Sequence, residues 1–328
     1  MKNLVLLASL LAASSSFGFA WTESEGASGN STRANANVFN GFAAGDTISG
    51  TTTGSSTTAG NAVNSADYFR LQTTTETAGI WMGRLTISGT QNVFGTLRGY
   101  SQIAGVVDTN SDAGFLSSSA NARWTQWYGF GKGETVNFRM AGSPTSTAPY
   151  EAVFTRTLIT PTNLGTIGVG TTTIGTVAPT TGTASNTEVF IYDSNFNLIG
   201  ANDDLSSTSS LSLATLNLTA GQYYIAVGRT NTATSVANSA ALSGGVEGNT
   251  TASVLQFGDM LTSTNGTVTA SGYGLQVNGT TVGSASFSNT GSDAGRIDWY
   301  SVQAVPEPGT MAALGLGLAA LGRKRRKS

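Results

Sequence analysis

Residues 131–140 read GKGETVNFRM, and this stretch decides the fold class. After the glycine-rich start, apolar residues alternate with polar ones from Val136 to Met140. Such alternation predicts a strand with one face against a core, because successive side chains of a strand point to opposite sides. The same two-residue period recurs at residues 223–227 and 297–301.

The chain between residues 21 and 305 therefore predicts an all-β protein. No window there carries a sustained helical period, and Gly/Ser/Thr/Asn-rich connections separate the short alternating runs. No repeat of propeller length occurs, so we expect two tandem antiparallel β-sandwiches of the jelly-roll kind. The predicted parts are a helical signal peptide at 1–20, a Gly/Ser/Thr-rich arm or edge strands at 21–65, a first sandwich at 66–160, a second at 161–305, and a C-terminal signal with a hydrophobic helix at 306–328.

The first 20 residues have the composition of a cleavable signal peptide. Lys2 precedes an apolar run, and Gly18-Phe19-Ala20 is a small-x-small triplet of the sort that signal peptidase accepts. The apolar run is far shorter than the roughly 20 residues that cross a bilayer. We therefore expect export, with cleavage between Ala20 and Trp21.

The C-terminal signal consists of three elements in a fixed order. Its proline-containing start ends any preceding strand, its apolar block can enter a membrane as a helix, and its basic cluster holds the end of that helix on the cytoplasmic side. The residues of the start are Pro306, Glu307 and Pro308, and those of the cluster are Arg323, Lys324, Arg325, Arg326 and Lys327.

This order of elements resembles the PEP-CTERM sorting signal of Gram-negative bacteria. The resemblance implies that an exosortase, a membrane cysteine protease, recognises and processes the tail after transient anchoring in the inner membrane. It also implies delivery to the outer surface or extracellular matrix, where the family's role is associated with exopolysaccharide and biofilm. The expected partners are thus signal peptidase, an exosortase and exopolysaccharide.

The second half of the body carries a further resemblance. Within residues 165–230, the run IYDSNFNLIGANDD is followed by LTAGQYYIAVG. This pair of runs resembles the bacterial pre-peptidase C-terminal domain, a small jelly-roll-like β-sandwich that accompanies secreted proteins. The resemblance implies that these residues form the core of the second sandwich.

The composition excludes most catalytic chemistry. The chain has no cysteine and no histidine, so neither a Ser-His-Asp triad, a Cys-His pair nor a thiolate or histidine metal site can be built. Between the two signals there are 10 basic and 17 acidic residues, and this net charge of −7 disfavours nucleic acid. We expect a structural or adhesive surface protein without enzyme activity or cofactor. A carboxylate-dependent glycosidase and a carbohydrate- or calcium-binding module are the alternatives.

One candidate calcium site lies in the second half of the chain. Asp193, Asn195 and Asn197 place oxygen-bearing side chains at alternate positions, as at the start of a calcium loop. Asp203 and Asp204 follow one short strand later. Asx turns use the same residue types for backbone hydrogen bonds, which favours a turn over a calcium site.

One candidate sugar-binding platform lies in the first half. Trp124, Trp127 and Tyr128 crowd the segment RWTQWYGFGKG at residues 123–133. Exposed aromatic rings can stack on sugar faces, but aromatic residues beside a glycine-rich turn pack into a core more often. We expect these rings to be part of the core, with the platform as the alternative.

Overall fold

The structure is a computed structural model. It describes residues 18–24, 29–52, 66–89, 93–101, 116–117, 124–142, 148–179, 183–184, 187–202, 213–229, 255–256, 271–287 and 297–306. Residues 1–17 of the predicted signal helix, the tail from Glu307 onward, and Asp203 and Asp204 lie outside these described residues. Ala20, the last residue of that predicted helix, belongs to a strand instead.

The described residues form β-strands in four sheets, together with one 3-10 turn at Arg33–Asn35. This architecture confirms the prediction of an all-β protein. None of the described residues belongs to a helix of the length and apolar character that crossing a membrane requires.

Two sheets contain strands of the first half of the chain. In spatial order, sheet 1 comprises β1 (Ala20–Thr22), β3 (Thr47–Thr52), β10 (Ala148–Ile159), β5 (Ile80–Gly89), β8 (Trp124–Gly129) and β18 (Leu255–Gln256). Sheet 2 comprises β2 (Asn37–Phe42), β4 (Asp67–Thr73), β9 (Thr135–Ala141), β6 (Phe94–Ser101) and β7 (Leu116–Ser117). The short strand β18 is the contribution of the second half to sheet 1.

The other two sheets contain strands of the second half. Sheet 3 comprises β11 (Thr162–Gly168), β21 (Asp298–Val305), β17 (Gly221–Arg229), β14 (Thr187–Tyr192) and β15 (Leu198–Asn202). Sheet 4 comprises β13 (Thr183–Ala184), β19 (Ser271–Val277), β12 (Gly170–Val177) and β16 (Leu213–Leu218), with β20 (Thr280–Phe287) also paired to β19.

The sheets are mixed rather than purely antiparallel. Each has one parallel pair at an edge: β1 with β3, β2 with β4, β11 with β21, and β13 with β19. Parallel neighbours need a crossover connection, and the chain supplies one when β3 joins sheet 1 between β2 and β4 of sheet 2. The prediction of antiparallel sheets was right for the interior pairs and wrong for these edges.

One hydrophobic core is shared by sheets 1 and 2. Its rings come from both sheets: Phe42 on β2 stacks on Phe154 of β10 with ring centroids 4.9 Å apart. The Trp127 ring of β8 also stacks on Phe154, nearly parallel to it, with ring centroids 5.5 Å apart. Offset ring pairs of this kind add stability beyond their buried area.

A second core is shared by sheets 3 and 4, and a third joins sheet 1 to sheet 3. We call the third the interface core. Strand β14 serves both, because Val189 and Ile191 enter the second core while Phe190 and Tyr192 enter the interface core. A strand buried on both faces has an uninterrupted apolar run, as the VFIY segment of β14 has.

Candidate functional site

The C-terminal signal begins where the last strand of the body ends. β21 lies inside sheet 3 between β11 and β17, and it stays paired up to its last residue, since Gly168 opposes Val305 and Gly221 opposes Ala304. The amide of Val169 donates to the Val305 carbonyl at 3.1 Å. Pro306 follows at once and cannot donate a ladder hydrogen bond, so the sheet ends there.

This junction separates the folded body from the tail without a spacer. Val302 and Ala304 are 0 % exposed in the second core, and Trp299 is buried in the interface core. All of these contacts precede the proline. A cut at or after Pro306 therefore removes no side chain that packs in the described cores.

The predicted signal-peptide cleavage site lies in the first strand. Ala20 and Trp21 belong to β1, which pairs with β3 in parallel. The Trp21 ring is partly buried and stacks on Phe39 at 4.7 Å. Its indole N–H donates to Asp46 at 3.3 Å, so the residue after the predicted cut is already anchored to the body.

Asp193, Asn195 and Asn197 come together in the turn between β14 and β15. The Oδ1 atom of Asp193 accepts the amides of Asn195 at 2.8 Å and Asn197 at 2.9 Å, and Oδ2 accepts the Asn197 side-chain amide at 2.9 Å. Burial alone would raise the pKa of Asp193, but these hydrogen bonds and the nearby Lys132 ammonium outweigh it and hold the pKa below its ordinary value. This is the geometry of an Asx turn.

The turn has a packing task that the sequence reasoning missed. Phe196 has a left-handed backbone at φ 58° and its ring is only 4 % exposed. The ring stacks on Phe130 and on Tyr224, each at 4.7 Å between centroids. The hydrogen bonds of Asp193 thus hold a strained residue whose ring joins sheet 3 to sheet 1. The sequence signal for this packing role was an apolar residue, Phe196, between the turn-forming residues Asn195 and Asn197.

The aromatic segment considered above as core or sugar platform has two rings inside the protein. Trp127 is 1 % exposed in the first core, and Tyr128 is 2 % exposed in the interface core. Neighbouring residues of one strand point to opposite faces, so these two rings cannot share a platform. Trp124 is partly buried, with the Arg84 guanidinium 4.8 Å from its ring centre. Trp127 and Tyr128 thus pack in cores, as expected from the sequence.

A buried carboxylate at the start of β9 organises the preceding loop. Glu134 is 0 % exposed, and its Oε1 accepts the amides of Phe130 at 2.6 Å and Gly131 at 2.8 Å. Its Oε2 accepts the Thr73 hydroxyl at 2.8 Å and Nη2 of Arg156 at 2.9 Å. Burial alone would raise the pKa of Glu134, but Arg156 and the hydrogen bonds outweigh it and hold the pKa below its ordinary value.

Arg156 also contacts a second carboxylate. Its Nε lies 3.2 Å from Oε2 of Glu76, whose side chain is 22 % exposed. Burial raises the pKa of Glu76, and the attraction of Arg156 offsets only part of that rise. The oxygens of Glu134 are fully engaged by the protein, which suits a structural ion pair that fixes the 130–134 loop.

Comparison with known proteins identifies the C-terminal signal. No curated protein matches the chain. Residues 304–327 match the PEP-CTERM protein-sorting motif. The match begins on β21 and extends through the basic cluster, so it includes the junction described above. The chain thus carries a PEP-CTERM sorting motif at its C-terminus, which implies an exported protein that an exosortase sorts to the cell surface.

Proposed function

We propose that this protein is a structural or adhesive component of the cell surface or extracellular matrix, associated with exopolysaccharide or biofilm, and that it is not an enzyme. The observation that carries the proposal is the sorting motif, which begins at the end of β21. The body that would be released contains no histidine or cysteine. In its described part, buried side chains form three hydrophobic cores that link the four sheets.

The arrangement of the sheets supports the finer fold proposal of two jelly-roll-like sandwiches. Sheets 1 and 2 enclose one core, sheets 3 and 4 enclose another, and the chain passes from sheet 1 to sheet 3 between Ile159 and Thr162. We place the boundary there. The likeness of residues 165–230 to pre-peptidase C-terminal domains belongs to the same proposal.

The sorting function is tested with the full-length chain in a host that carries its own exosortase. The wild type is compared with a Pro306→Ala/Glu307→Ala/Pro308→Ala variant, and with the wild type in a strain that lacks the exosortase. Intact-mass analysis of medium and envelope fractions reports both termini. We expect the released wild-type protein to start near Trp21 and to lack the basic cluster. The variant and the knockout strain should retain the tail in the membrane fraction.

The result that contradicts sorting is a released wild-type protein that still ends at Ser328. A matched variant, Glu151→Ala, removes one exposed acidic residue of the body and controls for unspecific effects of the lost negative charge. The surface role is tested separately, by biofilm mass and by exopolysaccharide retained on cells that lack the protein. Normal values for both would exclude the matrix role while leaving the sorting result intact.

A further inference from the structure

Sheet 2 has one face toward the first core and an opposite face, which we call the outer face. Val136 and Phe138 of β9 enter the core, so Asn137 between them points to the outer face. Arg70 of β4 opposes Asn137 in the register, and Arg139 lies two positions along β9, so both arginines share the outer face with it. Both arginine side chains are partly exposed.

The two arginines have no acidic partner on this face. Asp67 is the only acidic residue of β2, β4 and β9, and it lies on the core-facing side of β4 with Phe69. The ion pairs that the described residues form belong to Arg156 instead. Diagonal neighbours on paired strands are about 7–8 Å apart, so two positive charges lie close together without compensation. The outer face therefore favours the binding of an anion.

Asn137 adds a buried polar group beside the arginines. The residue is 1 % exposed, and neither its Oδ1 nor its Nδ2 has a hydrogen-bonding partner among the described residues. Nε of Arg139 is likewise buried without a partner there. Buried polar atoms in native proteins almost always have a partner, so these atoms mark the place of one. Strand β6 also has a bulge opposite Asn137, between Leu97 and Tyr100, and bulges are frequent next to functional sites.

The chemistry of these groups selects the ligand. Guanidinium groups donate hydrogen bonds from a planar fork that fits a carboxylate. The Asn137 amide offers an acceptor oxygen as well as a donor NH₂ group, so its partner must carry a hydroxyl group near the negative charge. A fully ionised sulfate has no such donor. A carboxylate with neighbouring hydroxyl groups is the pattern of a uronic acid, the charged sugar unit of acidic polysaccharides.

We propose that Arg70, Arg139 and Asn137 bind a uronate unit of an acidic polysaccharide. The sugar carboxylate accepts from the two guanidinium groups, and a ring hydroxyl pairs with the Asn137 amide, which a ligand reaches when the long arginine side chains turn toward it. The assignment deepens the proposed matrix role, because it names the class of polysaccharide, and its biological meaning rests on that role. Binding itself does not require sorting.

The test is calorimetric titration of the purified exported protein with trimers of galacturonate, glucuronate and mannuronate, and with neutral galactotriose. We expect binding of a uronate trimer that weakens as NaCl is added. Arg70→Gln and Arg139→Gln should each weaken it at least about tenfold, because each removes a charge-assisted hydrogen bond. Asn137→Leu should also lose binding, with an equal or higher Tm, because it removes an unpartnered buried amide. The matched control Lys132→Gln removes an exposed basic residue near Asp193 instead and should keep the wild-type Kd.

The other outcomes overturn the proposal. Absence of binding for all three uronate trimers, equal binding of galactotriose, or an unchanged Kd in the arginine variants excludes the uronate site. Equal binding of sodium sulfate at the same ionic strength means an unspecific anion site instead. The arginine variants decide the test if Asn137→Leu does not fold, as judged by its far-UV spectrum. Failure of binding leaves the sorting and biofilm results unchanged, whereas normal biofilm in cells that lack the protein excludes the matrix role without altering the Kd.

Discussion

Replacing Arg156 by methionine leaves the buried carboxylate of Glu134 without its positively charged partner. The Arg156 side chain is 3 % exposed, and its Nη2 lies 2.9 Å from the fully buried carboxylate of Glu134. Methionine keeps the linear, unbranched stem of the side chain but not the guanidinium group or its charge. Removing one partner of a buried ion pair typically costs about 3–5 kcal/mol. Thr73 and the loop amides continue to donate to Glu134, so we expect a loss of about 3 kcal/mol, at the lower end.

A double variant distinguishes a stranded charge from lost packing. Arg156→Met/Glu134→Gln removes both charges of this buried pair, and glutamine still offers one oxygen to the loop amides. We expect it to be more stable than Arg156→Met alone by about 1–2 kcal/mol, within the range of coupling energies for contacting residues. Urea unfolding of the processed protein near neutral pH, followed by tryptophan fluorescence, measures both. Glu151→Gln, an exposed site on the same strand, should change stability by less than about 0.5 kcal/mol.

The pH dependence gives an independent check on the same carboxylate. The folded-state pKa of Glu134 is below its ordinary value of 4.5, so its contribution is fully present above that pH and is lost as the pH falls through the folded value. Glu76 acts oppositely, because its raised pKa favours the protonated form in the folded state. As the pH falls below 4.5, the Tm of Glu134→Gln should therefore decrease less than the Tm of the wild type.

Two outcomes would refute the reasoning on the buried pair. One is a cost under about 1 kcal/mol for Arg156→Met, and the other is no gain in stability in the double variant.

Three further predictions concern packing. A chain truncated after Pro306 should melt within about 2 °C of the full-length protein, whereas removal of β21 should abolish cooperative melting; a large shift on the first truncation would mean that the tail packs on the body. Phe196→Ala should cost about 3–5 kcal/mol in urea unfolding, and the exposed Ile199→Ala should cost far less; equal costs would disprove the role of the turn. In Gly83→Ala, the new Cβ would lie 2.7 Å from Trp127 Cε2, so melting should show a loss of about 1–3 kcal/mol, and a neutral result would mean that the ring can move.

The strands were predictable because their signal is local. Alternation from Val136 to Met140 lies on β9, and the similar run at 223–227 lies on β17. All but the first residue of the run at 297–301 lies on β21. The parallel edges were not predictable, since partner choice depends on which sheet the intervening strand joins. A period of two reports which faces are buried but not which neighbour lies alongside.

The candidate sites also differ in whether their signal is local in the sequence. The C-terminal motif is read from consecutive residues, and the sorting motif was recognised from the sequence alone. The aromatic segment was expected to pack in a core, but only the packing of sheet 3 against sheet 1 reveals that Trp127 and Tyr128 lie in two different cores. Glu134 and Arg156 are 22 residues apart in sequence, and Arg70 and Asn137 meet only through the pairing of β4 with β9. No local spacing pattern could have paired them.

The two predicted processing positions lie at strands: one is within β1 and the other directly follows β21. Cleavage at each position removes different contacts. At the C-terminus, all residues of the described cores precede Pro306, so a cut there removes none of their side chains. At the N-terminus, the predicted cut removes Phe19, whose amide donates to Asp46 at 2.7 Å. Asp46 is 5 % exposed and keeps the indole of Trp21 as a donor. The contacts of the Trp21 side chain with Phe39 and Asp46 do not involve the residues that the predicted cut removes. If the cut occurs there, we therefore expect the new N-terminus to stay on the sheet.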